Sequence, residues 1–241
     1  VWLGAITGGD KHNAIPRECR LVLRTDARYE DTIRDACRRM ESTFQTELGT
    51  RDPGVAVTVE STPLPSRYVG VEEVIRIRDL LLALPHGVLG MSHEVAGLVE
   101  TSTNFASVRV RDGALKILTS QRSSRKSLIH WASEHVAAVI RCGGGSTRFG
   151  EEYPPWPPKP ASALVDTAVA VYKRTFDREA DVGAFHAGLE CGVIGDKVGD
   201  MEMISFGPTM EGVHTPKERV SVSSTAKTWQ LLLELLRALE K

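Results

Sequence analysis

Phe105-Ala106-Ser107-Val108-Arg109-Val110 and Leu115-Lys116-Ile117-Leu118-Thr119, joined around Asp112-Gly113, fix the architecture of the first half of the chain. Apolar and polar residues alternate on both sides of an Asp-Gly dipeptide, the pattern of two antiparallel strands closed by a tight turn. Ser124 to Ile140 follows as a helix, with Leu128, Ala132, Val136 and Ile140 on one face. Upstream, residues 1–7 read as a strand broken by Gly8-Gly9-Asp10, and Glu18 to Arg24 alternates as a half-buried strand. Tyr29 to Leu48 carries Ile33, Cys37, Met40, Phe44 and Leu48 at helical spacing before Gly49, and Val55 to Val59 reads as the next strand. Residues 1–150 therefore predict a βαβ unit followed by ββα, a split βαβ sandwich of the ferredoxin-like kind. A helix over Val71–Leu84, ended by Pro85, enlarges it as part of a helical insertion near 64–96.

Gly143-Gly144-Gly145 and then Tyr153-Pro154-Pro155-Trp156-Pro157-Pro158-Lys159-Pro160 mark a change of composition. So many prolines suit neither a helix nor a central strand, and they place either a domain boundary or a stiff surface loop here. Beyond it the sequence predicts a helix over Ala161–Phe176, a strand over Val182–Phe185 and a short helix over Leu189–Ile194. A strand over Met203–Phe206 and a closing helix over Thr225–Leu239 complete it. Helices alternating with short apolar strands make an α/β layer, but two strands are few for a parallel sheet covered on both faces.

The bulk composition excludes several classes. Thirty basic residues stand against thirty-one acidic ones among 241, so nothing directs the chain to nucleic acid or a charged membrane surface. No apolar run approaches the ~20 residues that a membrane span requires. Cys19, Cys37, Cys142 and Cys191 form no CxxC pair; they read as buried or half-buried free thiols in a reducing, cytoplasmic setting, and their spacing disfavours structural zinc. The chain opens at Val1 already reading as a strand, which predicts a fragment of something longer.

Candidate chemistry gathers between Asp181 and Glu218. His186 and Glu190 sit four apart across a strand-to-helix turn. They are either a polar pair facing a crevice, with Glu190 taking a substrate ammonium, or a structural pair at the turn. His214 precedes the rigid Pro216 and is either a metal ligand or a surface histidine. Arg122, at the end of the second hairpin strand, is either a fork for a carboxylate or a solvated strand-end residue. Asn13 lies in a turn, where Asn is common for conformational reasons alone. HExxH, GxSxG, the phosphate-loop motif GxxxxGK[ST] and a His-x-Asp pair are all absent.

Several stretches together resemble the aminoacyl-histidine (Xaa-His) dipeptidases, a family of di-zinc peptidases. They are Gly8-Gly9 through His12-Asn13-Ala14-Ile15-Pro16-Arg17-Glu18, Val99-Glu100-Thr101-Ser102 with Asn104, and Tyr153-Pro154 with Trp156. More specific are His186-Ala187-Gly188-Leu189-Glu190-Cys191-Gly192 and Asp200 through Thr209 with His214-Thr215-Pro216. The resemblance implies a di-zinc α/β catalytic domain with an inserted lid. Residues 1–150 would be most of a lid and dimerisation domain, and residues 151–241 the C-terminal part of the catalytic domain. It further implies His214 as a zinc ligand, with Thr215 where the family has Ser. Asn13 and Arg122 would hold the substrate's terminal carboxylate, and Glu190 and His186 would line the pocket. Substrate would be a dipeptide, the cofactor zinc and the assembly a homodimer.

The family's remaining zinc ligands and its general base fall in an N-terminal half that this chain lacks. The expectation is thus a piece without its own catalytic base, inactive alone and a poor binder of zinc. A non-enzymatic lid used for self-association is the rival reading. A ferredoxin-like small-molecule sensor is a third, resting on the βαβ pattern alone.

Overall fold

The computed structural model describes residues 1–111, 113–159, 161–199, 201–213 and 217–240. His214, the expected zinc ligand, and Asp112 of the hairpin turn lie outside the described residues. The architecture is mixed α/β. In order it comprises β1 (Trp2–Gly8), β2 (Cys19–Arg24), α1 (Glu30–Leu48), α2 (Val71–Ala83), β3 (Gly87–Met91), β4 (Val99–Arg111), β5 (Ala114–Ser123) and α3 (Lys126–Cys142). The remainder comprises α4 (Ala163–Phe176), α5 (Glu190–Val198), β6 (Met210–Glu211), β7 (Arg219–Val220) and α6 (Val222–Leu239). The strands of the main sheet run β2-β1-β4-β3, with β5 also paired to β4.

Two compact units divide the chain. The first comprises residues 1–87, 103–121 and 133–147, and the second residues 88–102, 122–132 and 148–241. This interleaved division draws two segments of the sheet-and-helix half into the second unit, whereas the composition change at the proline run suggests a single boundary.

In the first unit β1 pairs antiparallel with β2, Ile6 opposite Leu21 and Gly8 opposite Cys19. Leu3 and Ile6 are both buried although three residues apart. A plain strand would send them to opposite faces; the register shift between Leu3 and Ala5 is a bulge that returns both to the core. Ala106 and Val108 of β4 and Val136 and Ala137 of α3 complete that core. Gly9 ends β1 with φ +66°, and a Cβ there would lie 1.9 Å from the Ala106 carbonyl oxygen. Only glycine fits so close a backbone approach. Arg109 Nη2 donates to the Gly9 carbonyl at 2.8 Å and fixes the turn that follows.

The hairpin is longer than its alternating core suggests, and Gly113 takes the positive φ of +74° that its turn requires. Helix α2 stops where Leu84 must turn extended (ψ 126°) ahead of Pro85. The expected helical insertion is only partly so: α2 is followed by β3, a strand that glycines at positions 87 and 90 hid from the pattern.

Among the described residues the segment Val55–Val59 pairs with no strand, so the expected second strand of the βαβ unit does not join the sheet. It lies instead along α1. Gln45 Nε2 donates to the Val55 carbonyl at 3.4 Å, the Val57 amide donates to Glu41 Oε1 at 3.2 Å, and Arg34 Nη1 donates to the Val59 carbonyl at 3.2 Å. Period-two bonding of this kind is the signature of an extended backbone.

In the second unit α4 packs on α6, burying Val171 and Leu235. Ser162 caps α4 by accepting from the Val165 amide, and the Glu202 carboxylate accepts from the Ala163 and Leu164 amides at 3.0 and 3.2 Å. Ser221 caps α6 in the same way through Ser224. Val182–Phe185 and Met203–Phe206, expected as strands, pair with nothing among the described residues. Their apolar runs predict burial in a sheet, yet Phe185 is 85% exposed. The cysteines also depart from expectation: all four are free, but Cys19 and Cys142 are exposed rather than buried.

Candidate functional site

Val99–Ser102, the start of β4, and Arg122–Arg125, the end of β5 and the turn after it, are bound together by a polar network. The hydroxyls of buried Thr101 and half-buried Ser123 lie 3.0 Å apart. Glu100, nearly buried, accepts from the Ser124 hydroxyl at 2.8 Å and from Arg125 Nε at 3.2 Å. Arg125 reaches on to Glu94 at 2.6 Å, and the two carboxylates hold its guanidinium above its ordinary range. A buried carboxylate with charge-assisted partners fixes both backbone segments. The side chains that project from them, Ser102 and Arg122, inherit that rigidity.

His186 stands with both. Ser102 Oγ and His186 Nε2 are 2.6 Å apart. Burial first, and then the Arg122 cation, push the imidazole below its usual pKa, while a hydrogen bond to the Val99 carbonyl pulls weakly the other way. Which of Ser102 Oγ and His186 Nε2 donates follows the ring's tautomer. The arrangement is a neutral imidazole beside a guanidinium. Arg122 is half-buried, and its fork makes no hydrogen bond with a described residue.

Glycines shape the loop that carries His186. A Cβ on Gly188 would meet the Tyr153 ring at 2.9 Å, and one on Gly192 would meet the Pro154 carbonyl oxygen at 2.3 Å. The proline-rich segment is thus the surface on which the His186–Gly192 run lies. Glu190 is the first residue of α5 and is exposed, with no hydrogen-bond partner among the described residues. The positive end of the helix dipole favours its carboxylate there.

Of the residues singled out from sequence, His186 and Arg122 come together, and Glu190 belongs to the same unit. Asn13 belongs to the first unit, in an exposed turn. Its neighbours are fixed: Asn104 Nδ2 donates to the carbonyls of His12 and Ala14, at 3.3 and 2.8 Å, and so brackets Asn13. Ser102 and Asn104 belong to a stretch that carries the family resemblance, but the sequence assigns neither of them a role. Their signal in the sequence is a run of hydroxyl and amide side chains in a strand otherwise rich in apolar residues. Among the described residues no three His, Cys, Asp or Glu side chains stand where they hold a metal ion. The described residues alone therefore supply no complete zinc site.

No protein-family model matches the chain. It is 30% identical over 234 residues to the cytosol non-specific dipeptidase of Escherichia coli (strain K12), a match that covers 95% of this chain and 47% of that protein. Its fold is similar to the crystal structure of the aminoacylhistidine dipeptidase from Vibrio alginolyticus, with a TM-score of 0.85 and 28% identity over 98% of this chain and 48% of that one. The chain is thus a homologue of about half of each dipeptidase, and it spans about half the length of the relatives it matches.

Proposed function

We propose that this chain is the substrate-holding part of a dipeptidase that hydrolyses Xaa-His and related dipeptides. The observation that carries the proposal is the half-buried guanidinium of Arg122, without a hydrogen-bond partner among the described residues, beside a neutral His186. A fork with free N–H donors in a partly dry setting is built for a carboxylate, and a neutral imidazole next to it adds no second cation to desolvate. A dipeptide is a zwitterion: its carboxylate meets Arg122, and its ammonium is offered the unpartnered Glu190 carboxylate. Asn13, whose turn Asn104 holds within the first unit, is proposed separately as a residue that binds a carboxylate.

Dipeptidase names on both relatives support an enzyme over a purely self-associating module. The metal requirement is part of the proposal: His214 is this chain's zinc ligand, and the others, with the general base, come from polypeptide outside it. A homodimer in the cytosol, the compartment named for the Escherichia coli relative, completes the reading. Among the described residues no helix is long and apolar enough to cross a membrane.

Titrating the chain with Ala-His, followed by NMR at the His186 ring and the Arg122 Nε–H, tests the proposal. Shifts at both are expected, with Ala-His amide, which lacks the carboxylate, binding at least tenfold more weakly. Arg122→Ala should erase that discrimination. Equal binding of the two ligands, or no response at either residue, overturns it.

A further inference from the structure

The connection between β3 and β4 closes on itself. The Ser92 amide donates to the Leu98 carbonyl at 2.8 Å, and the Ser92 hydroxyl accepts from the Glu94 and Val95 amides at 3.2 and 3.1 Å. Glu94 leaves this tight turn and meets Arg125.

Arg125 ties that loop to the second unit. Its guanidinium spans Glu94 of the loop and the buried Glu100 of β4. Its amide donates to the Ser123 hydroxyl at the end of β5, at 3.2 Å. Its carbonyl accepts from the Leu128 and Ile129 amides of α3, both at 3.1 Å. An ion pair as exposed as Glu94–Arg125 adds little to stability. A planar fork that carries two carboxylates does fix their separation, which the point charge of an ammonium would not.

The side chains of the candidate site stand one step from this junction. Ser102 follows Glu100 by two residues on β4, hence on the same strand face, and bonds the His186 ring. Arg122 precedes Arg125 by three residues, at the end of β5. Arg125 itself hydrogen-bonds to none of the three.

We propose that Arg125 is a positioning residue: it fixes the end of β5 against the start of β4 and the loop before it, and thereby the place of Arg122 beside His186. The ligand this serves, a dipeptide carboxylate, rests on the dipeptidase reading; the positioning does not.

Two readouts keep them apart. The first needs no ligand. After burial, the Arg122 cation is what holds the His186 imidazole below its ordinary range, so that imidazole reports how close Arg122 stays. In an NMR titration of the free chain, Arg125→Gln should move the His186 pKa up toward its ordinary value. Glu94→Gln, which leaves Glu100 and its bond to Ser124 in place, should move it the same way by less, and it carries the test if Arg125→Gln does not fold. The second readout is binding: Arg125→Gln should weaken Ala-His at least fivefold and leave Ala-His amide unchanged. Arg141→Gln, which removes the exposed pair with Glu134 in the first unit, should change neither readout. An unmoved His186 titration in both variants overturns the inference, even with a lowered thermal midpoint, since that is a structural role alone. A titration that moves while the unaltered chain binds Ala-His and its amide equally supports the positioning and fails the dipeptide reading.

Discussion

Glu100 and Arg125 are 3.2 Å apart, the carboxylate side chain 10% exposed and the guanidinium 47%. The asymmetry decides their roles: Glu100 is the buried hub that joins the start of β4 to the turn after β5, and Arg125 and Ser124 are its partners. Replacing Glu100 by Ala orphans the Ser124 hydroxyl and loosens both segments. A thermal midpoint lower by several degrees is expected for Glu100→Ala, with Glu100→Gln intermediate because it can still accept from Ser124. Calorimetry on the two variants checks the order.

His186 gives the molecule a signed pH dependence. Its folded-state pKa lies below the ordinary 6.5, from burial and then Arg122. The folded state thus binds fewer protons than the unfolded one, and stability rises with pH across the window between the two values. The contribution is complete above about 6.5, the unfolded value, and is lost as pH falls through the folded one. Urea unfolding from neutral into mildly acid solution should show it, and His186→Gln should remove that part of the slope. An unchanged slope would contradict it.

Ser102→Ala removes the hydroxyl that lies 2.6 Å from Nε2. The neutral ring then loses a stabilising bond, and the imidazole pKa should move up toward its ordinary value. An NMR titration of the His186 ring in the two proteins reads the shift directly.

Gly9→Ala combines a positive φ of +66° with a Cβ placed 1.9 Å from the Ala106 oxygen. The conformational cost alone is about 1–2 kcal/mol, and relieving the overlap forces β1 away from β4. Denaturant unfolding should register a loss at the upper end of that range or beyond.

Gly192→Ala sets a methyl 2.3 Å from the Pro154 oxygen. Because that contact seats the His186 loop, His186 ring resonances should shift in this variant. Gly183→Ala, whose Cβ meets nothing within 4 Å, should leave them in place.

Local pattern revealed the helices and the hairpin, because amphipathic stripes and Asp-Gly turns are written within a few residues. The caps Ser162 and Ser221 were not read, and the observed starts, Ala163 and Val222, differ from the expected Ala161 and Thr225. The misread segments, Val55–Val59, Val182–Phe185 and Met203–Phe206, have strand composition, but pairing is a property of two segments. Sequence tells which residues suit a sheet; it does not tell whether a neighbour is present. At the site, His186 and Arg122 stood out by residue type and motif, but their meeting depends on a chain separation of 64 residues that no periodicity spans. Ser102 was legible as part of a family-like stretch but not by its role, since its importance lies in the ring it touches.

The cap on α4 bears on where anions go. A helix start with exposed amides draws phosphates and carboxylates of any origin. At α4 three of those amides already face Ser162 and the Glu202 carboxylate, which fills the position with a resident anion. That end of the helix is closed to competing salts and metabolites. An anion arriving at this end of α4 would meet a resident carboxylate instead of free amides.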